Sequence, residues 1–101
     1  MYERILYGNL QVDESLLIKN QIYHNIKIEY YKVKNTNVEN NVAYGIEIVK
    51  KEYSNGNEKE EKESMENLTK SEEKVETILE ILKRNVVTPT SLEYIITDML
   101  N

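Results

Sequence analysis

The segment Val42-Ala43-Tyr44-Gly45-Ile46-Glu47-Ile48-Val49 carries large apolar side chains at every second position, the clearest structural signal in the sequence. The same alternation runs through Ile26-Lys27-Ile28-Glu29-Tyr30-Tyr31. A period of two places successive side chains on opposite faces of a β-strand. The asparagine-rich segment 35–41 lies between the two runs and is typical of a loop. The two runs therefore predict an antiparallel hairpin with one apolar face.

The amino-terminal residues complete the predicted sheet. Arg4 to Val12 is a weaker strand, in which Gly8-Asn9 could be a bulge or a tight turn. Asp13 to Asn20 could be a short turn or a strand, and the residues leave both open. We therefore expect a three-stranded antiparallel meander over residues 1–53.

Residues 54–68 are expected to be an acidic mobile linker. The segment opens on the turn cluster Ser54-Asn55-Gly56-Asn57 and continues as a run of Glu and Lys, with Met65 as the one large apolar side chain up to Glu66. Such a stretch buries too little apolar surface to offset the entropy lost on ordering.

Residues 69–101 predict a helical hairpin. Thr69 and Glu72 match a capping box, and Thr88 followed by Pro89 is a second helix start. Apolar side chains then recur at helical spacing in two stripes: Val75, Ile78, Leu79 and Leu82, then Leu92, Ile95, Ile96 and Met99. We predict one α+β domain, 1–101, in which both C-terminal helices pack on one face of the sheet.

Composition excludes several classes of site. The 101 residues contain no cysteine and one histidine, which excludes zinc-thiolate, disulfide and multi-histidine chemistry. The net charge of −5 disfavours nucleic acid and anionic membranes as partners. No leader or spanning segment is visible, so we expect a cytoplasmic protein without a membrane association. Neither a cofactor nor a metal is expected.

Three blocks carry a resemblance to a known family: Tyr44–Lys51; Glu66–Thr69 followed by residues 73–80; and Asn85–Pro89 leading into Leu92. In this order they resemble an uncharacterised family of small proteins from clostridia and related low-GC bacteria, over residues 26–100. The family is a domain of unknown function. The resemblance implies the same architecture and assigns no activity, cofactor or site residue.

The candidate functional residues are Glu29, Tyr31 and Glu47, which alternation places on the outward face of the hairpin. Paired carboxylates can do acid–base work or hold a metal, but a mixed charged face is also typical of the solvent side of a sheet. Tyr31, with Tyr7 and Tyr53 as further candidates, would offer the aromatic contact area common in interfaces. The alternative is that tyrosine is simply favoured in strands.

These observations favour a small cytosolic non-catalytic protein that acts by protein–protein contact. It would be a regulator or adaptor, and a phage-borne or host-defence inhibitor would have the same features. The partner is expected to be another protein, and a homodimer is compatible with the sequence. The alternative is a nucleic-acid-associated regulator that uses the lysines of the hairpin: Lys27, Lys32, Lys34, Lys50 and Lys51. An enzyme using Glu29 and Glu47 ranks last.

Overall fold

A computed structural model describes residues 1–13, 24–37, 39–54 and 56–100. They form a four-stranded antiparallel sheet in the order β1-β2-β3-β4, followed by the helices. The strands are β1 (Tyr2–Asp13), β2 (His24–Thr36), β3 (Val42–Ser54) and β4 (Asn57–Thr69). The short turn or strand considered for Asp13 to Asn20 lies, from residue 14 onwards, outside the described residues.

The prediction of three strands is wrong, because the segment expected to be a linker supplies a fourth. β4 pairs antiparallel with β3 from Ser54↔Asn57 to Tyr44↔Thr69. Most of its side chains are exposed, so the pairing is carried by backbone hydrogen bonds rather than by apolar burial. Gly56, at φ +80°, supplies the left-handed conformation that the tight turn before β4 requires.

Two irregularities shape the sheet. The register between β1 and β2 shifts between Leu6 and Gly8, so that of the two alternatives for Gly8-Asn9, a bulge or a tight turn, the structure has a bulge beside Gly8 within one continuous strand. The register between β3 and β4 shifts between Tyr44 and Ile46. At this second shift β4 crosses closely over Gly45, where an added Cβ would lie 2.8 Å from the Cα of Glu66. Only glycine permits that approach.

The helices are α1 (Glu72–Arg84) and α2 (Leu92–Leu100), with a short 3-10 turn over Pro89–Ser91 before α2. The N-cap of α1 is Ser71, whose Oγ accepts a hydrogen bond of 3.1 Å from the backbone nitrogen of Lys74. Thr69 lies two residues too early and instead accepts from the backbone nitrogen of Ser71. No helix in the described part of the chain is long and apolar enough to cross a membrane.

Helix α1 ends in a Schellman arrangement whose left-handed residue is Val86, one position after the C-cap Asn85. Asn85 has φ −94°, whereas Val86 has φ +53°. The backbone nitrogens of Val86 and Val87 donate to the carbonyls of Lys83 and Leu82, at 3.1 and 3.0 Å. This bonding closes the carboxyl end of α1 with a β-branched residue where glycine is usual.

The core lies between the helices and one face of the sheet, called here the inner face. The α+β class and the packing of both helices on one face are confirmed. The predicted inward residues of β2 and β3 are buried or packed against the core: Ile26, Ile28, Tyr30, Val42, Tyr44, Ile46 and Ile48. The helices contribute their predicted stripes through Val75, Ile78, Leu79, Leu82, Leu92 and Ile96, with Ile95 partly buried. Met99 is the exception, 37% exposed.

Candidate functional site: the outer face of the sheet

The opposite face of the sheet, called here the outer face, carries the predicted candidate residues. Because residues paired directly across antiparallel strands share a face, the register defines its members. They include Tyr2, Arg4, Leu6 and Asn9 on β1; Lys27, Glu29, Tyr31 and Val33 on β2; Gly45, Glu47, Val49, Lys51 and Tyr53 on β3; and Glu58, Glu60, Lys62 and Ser64 on β4. Both helices pack on the inner face, so this one is left uncovered by either helix.

The three candidates lie in one network centred on Tyr31. The guanidinium carbon of Arg4 lies 3.8 Å from the centroid of the Tyr31 ring, a cation–π contact. Arg4 Nε also pairs with the carboxylate of Glu47. The Tyr31 hydroxyl donates to Glu29 Oε2 at 3.0 Å, and Lys51 Nζ lies 3.4 Å from Glu29 Oε1. The network joins the first three strands of the sheet.

The two candidate carboxylates are more enclosed than a solvent-facing position predicts. Glu29 and Glu47 are each only 9% exposed. Glu47 Oε2 is buried and accepts no hydrogen bond with good geometry from the described residues. Its charge is balanced by an ion pair with Arg4. Both carboxylates are therefore engaged within the sheet and do not present free charges to a partner.

The electrostatics of Glu29 follow from its neighbours. Burial raises the pKa of Glu29, but hydrogen bonds from Tyr31 and Lys51 outweigh it, so that the net pKa is below its usual value. The pKa of Tyr31 is raised by burial and by its hydrogen bond to Glu29. Glu29 is therefore an ionised acceptor rather than a proton donor near neutral pH.

Arg4 is an outer-face residue that the sequence analysis did not identify as a candidate. The bulge between Leu6 and Gly8 adds one residue to β1 and so reverses the alternation of its side chains between the two faces. Arg4 and Leu6 therefore share the outer face, while Gly8 and Leu10 lie opposite inner-face residues. Alternation alone could not give that change. A weak signal existed, since Arg4 is one of only two arginines in the chain and lies within a predicted strand.

The exposed part of the outer face carries two tyrosines and a leucine. Tyr2 is 56% exposed, Leu6 49% and Tyr53 40%. Tyr53 is on this face as expected, but the expectation for Tyr7 is wrong. The Tyr7 hydroxyl donates to Glu80 of α1 at 2.9 Å, and the ring packs against the core on the helix side.

A shallow depression of about 170 Å³ opens at one end of the outer face. Its lining residues are Tyr2, Arg4, Val33, Glu47, Ser64 and Glu66. The Tyr2 hydroxyl donates to Glu66 Oε2 at 3.0 Å, so that a side chain of β1 meets one of β4 across the two central strands. Side chains of both edge strands therefore enclose the depression at this end.

The lysines of the hairpin do not form one basic surface. Lys32 lies on the inner face, 9% exposed, and pairs with Glu76 at 2.9 Å and Glu72 at 3.3 Å. These carboxylates raise the pKa of Lys32 despite burial, Glu76 having the larger effect. Lys34 and Lys50 also lie on the inner side by register, whereas Lys27 and Lys51 lie on the outer side. Two opposite faces therefore share the five lysines.

Within residues 1–13, 24–37, 39–54 and 56–100, no group of three or more acidic or histidine side chains is placed to hold a metal ion. The side chain of His24 lies outside the described residues.

Comparison with known proteins gives a match to a protein family. No curated protein and no solved structure matches the chain. The family of unknown function DUF6514 matches residues 11–101, which is most of the chain. The chain belongs to the DUF6514 family.

Proposed function

We propose that the protein acts by binding another protein through the outer face, as a small non-catalytic regulator or adaptor in the cytoplasm of a low-GC bacterium. The observation that carries this proposal is a sheet face that neither helix covers, with partly exposed tyrosines around a buried centre. Tyr2 and Tyr53 have free ring surface, and Tyr31 lies half-buried between them. Tyrosine gives a large, rigid contact area at a small entropic cost.

The network beneath this surface supports the proposal because it fixes the contact area before a partner arrives. Tyr31 has Arg4 over its ring and Glu29 at its hydroxyl, so that its orientation is set by both ends. A side chain that is already ordered loses less entropy on binding. Glu29 and Glu47 are then supporting residues, and the direct contacts come from the exposed tyrosines.

The charge of the rim favours a partner with a basic surface. The exposed charged residues of β4 on this side are Glu58, Glu60, Lys62 and Glu66, an acidic excess. Of the cations on the first three strands, Arg4 and Lys51 are engaged with Glu47 and Glu29, and Lys27 lies opposite Lys51. The net charge of −5 acts in the same direction.

The test is capture of partners from the native cell by the tagged protein and two variants. Tyr53→Ala removes an anchor from the outer face, and Tyr94→Ala removes a tyrosine that is 79% exposed on α2. Both variants should fold, as checked by circular dichroism, because neither side chain fills the core. A partner that Tyr53→Ala loses and Tyr94→Ala keeps supports the proposal. A partner lost only with Tyr94→Ala would place the interface on the helices.

A further inference from the structure

We propose that the free edge of β1 pairs antiparallel with β1 of a second copy of this chain, joining two four-stranded sheets into one continuous sheet. β1 and β4 are the two edges of the sheet among the described residues. An edge strand presents a row of backbone donors and acceptors that another strand can pair with. The two edges of this sheet differ sharply in the residues that oppose such pairing.

The β4 edge is protected by charge. Seven of its thirteen residues are Glu or Lys, and most of the strand is exposed. Dense charge on an edge strand opposes pairing with another strand, since the incoming strand would have to desolvate it. β4 also begins at a tight turn and ends beside Gly45, where its backbone crosses β3.

The β1 edge has no such protection. Only three of its twelve residues are charged: Glu3, Arg4 and Asp13. Its middle carries two exposed apolar side chains, Ile5 at 38% and Leu6 at 49%, which point to opposite faces of the sheet. A strand added at this edge would therefore cover apolar surface on both faces.

A second copy of β1 is itself a compatible neighbour. In an antiparallel pair related by a twofold axis, residues equally distant from the axis face each other. We place the axis at Leu6 and leave Tyr7 unpaired, as it is in the β1–β2 register. Leu6 then faces Leu6 of the second copy, and Ile5 faces Gly8. In the same register Arg4 faces Asn9 and Glu3 faces Leu10, so neither charge meets a like charge.

The oligomeric state tests this proposal. Sedimentation equilibrium should give, with rising concentration, a mass approaching twice the chain mass of 11.9 kDa. Ile5→Lys places on the β1 edge the kind of charge that β4 carries, and should raise the dimer dissociation constant at least about tenfold. Glu63→Lys, which adds a lysine to the β4 edge, is the matched control and should leave the constant unchanged. A monomeric mass throughout, or a dimer that Ile5→Lys leaves as tight as before, would overturn the proposal.

A second measurement decides the question if Ile5→Lys fails to fold. Hydrogen exchange of the unsubstituted protein is followed at low and at high concentration. Amides of β1 on the side away from β2 should become protected as the concentration rises, while those of β4 should not change. Equal exchange of β1 in dilute and concentrated samples would contradict pairing at this edge.

Discussion

The hydroxyl of Tyr30 donates to the carbonyl oxygen of Val87 across 2.8 Å, inside the core. Tyr30 lies on β2 with no exposed surface, and Val87 follows the carboxyl end of α1. This bond ties the centre of the sheet to the connection between the helices. It gives a hydrogen-bond donor to a carbonyl of the connection between the helices, inside the core.

Replacing Tyr30 by Phe should therefore destabilise the protein while keeping its shape. The variant leaves the Val87 carbonyl buried without its donor, which costs about 1–3 kcal/mol. Urea unfolding measures the change. Tyr94→Phe, at a tyrosine that is 79% exposed, is the control and should stay within about 0.5 kcal/mol of the unsubstituted protein. Similar losses from both variants would mean that the bond to Val87 contributes nothing.

The same hydroxyl should make stability fall at alkaline pH. Burial raises the pKa of Tyr30 to about 12, against 10.0 for the free side chain. Because the folded pKa is the higher one, the contribution is complete below pH 10 and is lost as the pH rises towards 12. The stability difference between the unsubstituted protein and Tyr30→Phe should shrink across this window. A difference that stays constant from pH 9 to 12 would contradict the burial of the hydroxyl.

Val86→Gly should stabilise the protein. Val86 holds φ +53°, a left-handed conformation that is costly for a β-branched side chain, and its side chain is 46% exposed. Glycine removes the strain and sacrifices little packing, for an expected gain of about 1 kcal/mol. Val86→Ala retains a Cβ and should gain less. If Val86→Gly lowers the melting temperature, the end of α1 does not have this geometry.

Arg4→Ala should destabilise the outer-face network. It leaves the largely buried Glu47 carboxylate without its cation and uncovers the Tyr31 ring, at a cost of about 1–3 kcal/mol. The matched control is Arg84→Ala, which removes the other arginine and a 3.8 Å pair with Glu80 on the exposed helix surface. Surface pairs of that kind contribute about 0–1 kcal/mol. Chemical denaturation should separate the two variants, and equal losses would show that the network is not a structural unit.

Much of the fold could be predicted because its core follows strict periodicity. The alternation in 26–31 and 42–49 identified the central hairpin and its buried face, and two helical stripes identified α1 and α2. β4 escaped prediction because it buries almost nothing, so its side chains carry no alternation to detect. The Asn55-Gly56 turn was the available signal, since that dipeptide favours a two-residue hairpin.

The candidate site could be predicted by face but not by contact. Odd-numbered positions placed Glu29, Tyr31 and Glu47 together on the outer face, as the β2–β3 register has them. Their partners depend on the register of β1, which the bulge alters, so the roles of Arg4 and Tyr2 could not follow from the sequence. Because Glu47 pairs with Arg4, Glu47→Lys would bury a lysine against that arginine rather than alter the surface alone.

Photo-cross-linking in the native cell tests the proposed binding face most directly. A photoreactive phenylalanine analogue replaces Tyr53 on the outer face in one strain and Tyr94 on α2 in another. The proposal predicts a covalent adduct with a different protein from position 53 and no matching adduct from position 94. An adduct from position 94 alone, or none from position 53 while the protein remains folded, would contradict binding through the outer face.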